Sequence, residues 1–124
     1  MSAHISDLAS AVLVRPAVGP STRTVAFNGD LVDMIDADGA CFAVQQIGFF
    51  EDEQSWTGRI EQSADGTTWA AISGAAFVAV TGGENTQAIR FTRSARYLRY
   101  AVSVSGADPE VQLAVLIGQL KKTF

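Results

Sequence analysis

The sequence predicts an all-β fold: an antiparallel β-sandwich, jelly-roll-like, of about eight strands with an extended N-terminal arm. Three observations predict it. Apolar residues alternate with period two in runs such as Leu98-Arg99-Tyr100-Ala101-Val102-Ser103-Val104, which puts one face of an extended chain into a core. Corners rich in Gly, Asn and Asp recur about every ten residues, the spacing that short antiparallel strands need. No run repeats apolar residues at three- and four-residue intervals for long enough to make an amphipathic helix.

Residues 1–20 read as an arm and residues 21–124 as the sandwich. In the arm, Val12, Leu13 and Val14 form a short apolar run followed by Arg15. Pro16 and Pro20 then flank Ala17-Val18-Gly19, and a proline cannot donate to a central ladder, so any strand here belongs at an edge. An apolar run on a free arm favours docking onto a partner, which makes Val12, Leu13, Val14 and Arg15 candidate interface residues. On this view, deleting residues 1–20 leaves a folded domain that no longer assembles.

Thr22 to Phe27 reads as a strand, closed by the corner Asn28-Gly29-Asp30. Leu31 to Ile35 follows, closed by Asp36-Ala37-Asp38-Gly39. Ala40 to Ile47 opens so apolar that it reads as a strand covered on both sides. Beyond the acidic loop Glu51-Asp52-Glu53-Gln54, Trp56 and Ile60 share a face, and Arg59, Glu61 and Ser63 take the other. Ala64-Asp65-Gly66-Thr67 supplies a side chain that caps its own backbone and a glycine free to take positive φ. It turns the chain into Thr68 to Ile72, and Gly74 separates that run from Ala75 to Val80. Ile89 and Phe91 alternate with Arg90 and Thr92, and Arg93-Ser94-Ala95 turns the chain into the strand beginning at Arg96. Val111, Leu113, Val115 and Ile117 share a face in the last strand.

The chemistry excludes more than it offers. The single histidine, His4, sits in the arm, far from any base–nucleophile pairing. Cys41, the single cysteine, lies in an apolar run and reads as a small buried hydrophobe, with no disulfide available. Asp30, Asp33, Asp36 and Asp38 do not match a calcium-loop spacing and read as turn chemistry. Glu61 beside Arg59 reads as a solvent-face charge pair of small worth. Nine basic against thirteen acidic residues give a net charge of −4, which argues against nucleic acid, and no apolar run approaches a membrane span. No cofactor, no metal and no catalysis are expected. Trp69, just past the turn, and the outward pair Tyr97 and Arg99 are the remaining interface candidates, because Trp, Tyr and Arg concentrate in binding hot spots.

Two segments carry a resemblance: Glu61-Gln62-Ser63-Ala64-Asp65-Gly66-Thr67-Thr68-Trp69, an E-x-S-x-D-G-x-x-W strand-turn-strand, and Arg96-Tyr97-Leu98-Arg99. Together with Val32-Asp33-Met34, Phe42-Ala43-Val44 and Val115-Leu116-Ile117-Gly118, they resemble small β-sandwich virion proteins of tailed phages over about residues 28 to 120. These are the decoration, cement or head-fibre type. The resemblance implies a non-enzymatic structural protein made in the host cytoplasm and bound to the outer capsid surface. Its expected partners are the major capsid protein or other virion subunits, with a homo-oligomer, commonly a trimer. The arginine-flanked strand also resembles that of discoidin-like carbohydrate-binding jelly rolls, which implies a glycan-binding module built on Trp69, Tyr97 and Arg99.

Overall fold

The computed structural model describes residues 12–24, 26–34, 37–48, 54–106 and 111–121; of residues 12, 13, 37, 38, 120 and 121 it describes the backbone alone. No helix occurs among the described residues. The elements are β1 (Val12–Arg23), β2 (Phe27–Asn28), β3 (Val32–Asp33), β4 (Ala37–Ile47), β5 (Gln54–Ser63), β6 (Ala70–Ala76), β7 (Asn85–Thr92), β8 (Tyr97–Gly106) and β9 (Val111–Lys121).

They form two antiparallel sheets. The first runs β1-β9-β4-β7; the second runs β2-β8-β5-β6, with β3 also on β8. Phe27 pairs with Val102 and Asn28 with Ala101, then Val32 with Leu98 and Asp33 with Tyr97, so β2 and β3 are two halves of one edge strand. Counted that way there are eight strands, and all but the β5–β6 hairpin connect one sheet to the other, as in a jelly roll.

The period-two runs bury as their pattern demands. Leu98, Tyr100 and Val102 of β8 and Val111, Leu113, Val115 and Ile117 of β9 line one core with Trp56, Ile60 and Met34. One polar contact crosses that core: the Tyr100 hydroxyl donates to Gln45 Oε1 between the sheets. Gly58 makes room for it, since a Cβ there would overlap both the Tyr100 ring and the Gln45 amide. Burial pushes the Tyr100 hydroxyl well above its ordinary pKa, so it stays a donor. Cys41 is buried as expected; its thiol donates to Gln119 Oε1 at 2.8 Å, and burial pushes its pKa up to about 11.

Several expectations are corrected. The strand expected over 22–27 is split, because β1 ends at Arg23 in the first sheet and Phe27 already belongs to the second. Asn28-Gly29-Asp30 is not a reversal. Gly29 N donates to Tyr100 O at 2.6 Å and Asp30 N to Ala17 O at 3.1 Å, so the segment is a kink that ties the two sheets together. Ala37 to Gly39, expected as a corner, opens β4 across an irregularity in the ladder to β9. Asp36 lies outside the described residues, and Asp33 is taken by Arg96. Gly74, expected to separate two strands, sits inside β6 at φ 81°, in a bulge where the register with β5 shifts between Arg59 and Glu61.

The largest difference concerns the N-terminal segment. β1 crosses position 20 and pairs with β9 from Val12 opposite Leu120 to Arg23 opposite Val111. Its register shifts between Pro16 and Val18 and again between Val18 and Ser21, so the proline-containing stretch sits at an edge strand with bulges. Ala17 and Val18 are buried in the core.

Candidate functional site

Inward anchoring of β5 and β8 decides what projects outward from the second sheet. With Ile60 and Tyr100 buried, the next register pair, Glu61 with Arg99, faces out. Glu61 accepts from Arg99 Nε at 2.8 Å and from Arg59 Nε at 3.1 Å. Expected on an open face, it is only 8% exposed, because one arginine covers it along the strand and the other across it. Burial alone would raise its pKa; the two guanidiniums outweigh that and hold the carboxylate below its ordinary value.

The Arg99 guanidinium then stacks on Trp69, 4.5 Å from the ring centroid. Trp69 is delivered by the turn before it. Asp65 Oδ1 accepts from Thr67 N and Thr68 N at 2.9 Å each, Ser63 Oγ accepts from Gly66 N at 2.8 Å, and Gly66 has φ 81°. The N–H groups of Thr68 and Thr67 hold the Asp65 carboxyl well below the usual carboxylate range. Tyr97 and Arg99, expected to make an aromatic–guanidinium pair, do not. Tyr97 carries Arg96 at 5.0 Å instead, and Arg96 grips Asp33 with two bonds of 2.9 and 2.7 Å. This outer face is a closed lattice of its own charges.

The outer face of the first sheet is the opposite. β4 reads Cys41, Ala43, Gln45 and Ile47 inward, so Phe42 and Val44 point out, half-buried. No second layer covers them among the described residues, which corrects the expectation of a strand sheltered on both sides. The Phe42 ring lies over Gly118, its register partner on β9, where a Cβ would overlap it. Beside that pair stand Val14 and Leu116, 46% and 43% exposed, with Pro16 and Ala88 also exposed. By register, the one charge that the described strands add is Arg90, opposite Phe42. Together these side chains make an apolar surface across four strands.

No family model matches the chain. No curated protein matches it either. Solved structures do. The exported protein XepA of PBSX aligns at TM-score 0.59 and 18% identity over 90% of this chain. The SPBc2 prophage-derived protein YomS aligns at 0.55 and 12% over 87%. A protein of the infectious bursal disease virus particle aligns at 0.57 and 14% over 89%. The fold is shared with prophage-derived and viral-particle proteins. At these identities the likeness shows the fold alone. The chain spans 93% of YomS but only 38% of XepA and 31% of the viral-particle protein.

The expected interface residues fall on two separate faces. Trp69 and Arg99 join the charged lattice of the second sheet, with Tyr97 in the neighbouring Arg96–Asp33 group. Val14 and Arg15 are exposed on the edge strand of the first. Val12 and Leu13 pair with Leu120 and Gln119 through their backbones, and their side chains lie outside the described residues. Sequence reasoning missed Phe42, Val44 and Leu116, whose signal was an apolar residue at every position rather than every second one. It also missed Arg93, which donates to Gln119 Oε1 at 3.0 Å, Met34 O at 2.7 Å and Ala95 O at 2.9 Å where the chain changes sheets. His4 lies outside the described residues, and no cluster of three or more His, Cys, Asp or Glu able to hold a metal occurs among the described ones.

Proposed function

We propose that this protein is a non-enzymatic structural component of a viral particle, a decoration or cement protein that docks on the outer shell through the outer face of its first sheet. The observation that carries this reading is the exposed apolar surface of Val14, Phe42, Val44, Ala88 and Leu116 on a two-sheet body. The fold shared with prophage-derived and viral-particle proteins supports it by analogy. The mechanism is adhesion. Burying uncharged side chains against a complementary patch releases water without the desolvation cost of buried ions. Repetition over a symmetric shell multiplies a modest contact, so no single copy need bind tightly. A homotrimer is the expected assembled form, the major capsid protein its partner and the capsid surface its place of action.

Cosedimentation with shells assembled from the major capsid protein of the same genome tests the proposal. The native protein should pellet with the shells. The double variant Val14→Asp, Leu116→Asp, still folded by circular dichroism, should stay in the supernatant. A native protein that does not pellet, or a variant that pellets at full occupancy, sinks the assignment.

A further inference from the structure

The outer face of the first sheet changes character toward its other end. A groove of about 560 Å³ opens there, lined by Thr22, Gln46, Glu84, Thr86 and Gln112 over Ala114. The register explains it. Thr22 stands opposite Gln112, and Gln46 stands between Ala114 and Thr86, so each of the four strands brings an uncharged polar side chain to one end of the face. Ala114 is the short residue among them, and its size leaves the hollow. Gly48 closes the rim, its N–H donating to Gln112 O at 2.9 Å.

The lining narrows the ligand by elimination. Among the described residues no Lys or Arg lines the groove, and Glu84 repels anions, so a phosphate or carboxylate meets no counter-charge there. Glu84 is the one carboxylate among the described lining residues, too few for a calcium site. Among the described residues a lipid or steroid would find only Ala114, Pro20 and the edges of Ile47 and Leu113 as apolar floor, beside the polar side chains. An added peptide strand needs free backbone groups, but the main chain of β9 and β4 beneath the groove is committed to ladders on both sides. What remains is side-chain recognition by groups that both donate and accept. Two amides and two hydroxyls match adjacent hydroxyls on a sugar ring, and Glu84 adds an acceptor.

We infer that this groove is a binding site for an uncharged saccharide, recognised through Gln46, Gln112, Thr22, Thr86 and Glu84. It lies apart from the Trp69 and Arg99 lattice, two residues along β4 and β9 from the apolar patch of Val44 and Leu116.

The test is an NMR titration of the isotopically labelled full chain with uncharged di- and trisaccharides of glucose, galactose and N-acetylglucosamine. Sialyllactose and inorganic phosphate serve as anionic comparisons. A neutral sugar should shift the amides of Gln46, Thr86, Gln112 and Ala114. Gln46→Ala and Gln112→Ala, both at exposed positions, should each weaken binding by about tenfold, the loss of one or two good hydrogen bonds. Ala114→Leu, which fills the hollow, should abolish it, while Trp69→Ala leaves it unchanged. The inference is overturned if no neutral sugar in the panel moves these amides, if an anion binds more tightly, or if the shifts centre on Trp69 and Arg99. Val14→Asp separates the two proposals, since it should remove shell binding and leave the sugar titration as it was.

Discussion

Asp65 shows how much of one turn a single side chain can govern. Its carboxylate takes the N–H groups of Thr67 and Thr68, and Ser63 Oγ holds Gly66 N from the other side. The folded state depresses its pKa, so the stabilisation is fully present above the unfolded carboxylate value near 4 and is lost as pH falls through the folded value. Asp65→Ala should therefore lower Tm at pH 7, and the difference from the native protein should shrink steadily as pH drops below about 4. A difference that stays constant down to pH 2 would show that the carboxylate charge does not hold this turn. Gly58 makes a second case. Gly58→Ala should cost about 2 kcal/mol or more in denaturant unfolding, because its methyl meets the Tyr100–Gln45 contact, whereas Gly19→Ala meets nothing within 4 Å and should be near neutral. Glu61→Gln leaves two arginines facing each other without their carboxylate and should destabilise by about 1–2 kcal/mol, discounted for the solvent that reaches Arg59.

Legibility at the level of elements followed from how local each cause was. The β5–β6 hairpin was readable because Asp65 and Gly66 act on their own backbone, and the edge position of β1 was readable because Pro16 and Pro20 carry no N–H. The kink at Gly29 was not, since its cause is Tyr100 O and Ala17 O on distant strands. Nor was the membership of residues 12–20 in the first sheet, because an apolar run before a proline looks the same whether its partner is β9 or another molecule. This difference can be measured. Removing residues 1–20 takes most of β1, strips Ala17 and Val18 from the core and bares the ladder of β9, so it should give an unfolded or aggregating chain. Hydrogen exchange on β9 reads the loss, and protection of Val115 and Ile117 that survives the deletion would show that β1 is dispensable to the fold.

For the whole molecule, the two outer faces divide the labour of charge. The second sheet neutralises its own arginines through Glu61 and Asp33, while the first presents Val14, Phe42, Val44 and Leu116, with Arg90 opposite Phe42. The apolar period of β4 could not disclose that no described residue covers one of its sides, because an outward Phe42 or Val44 reads identically under a second layer or a partner. The same division predicts how the proposed docking on a shell would respond to salt. A contact led by complementary charge loosens as the screening length falls from about 30 Å at 0.01 M to about 3 Å at 1 M salt. Apolar burial does not, and it carries a negative heat-capacity change. Binding to shells should therefore hold across that range of salt and show a negative slope of enthalpy with temperature by calorimetry. Arg99→Ala, on the opposite sheet, should leave both quantities unchanged. If rising salt releases the protein from the shell, the charged lattice and not the apolar face makes the contact.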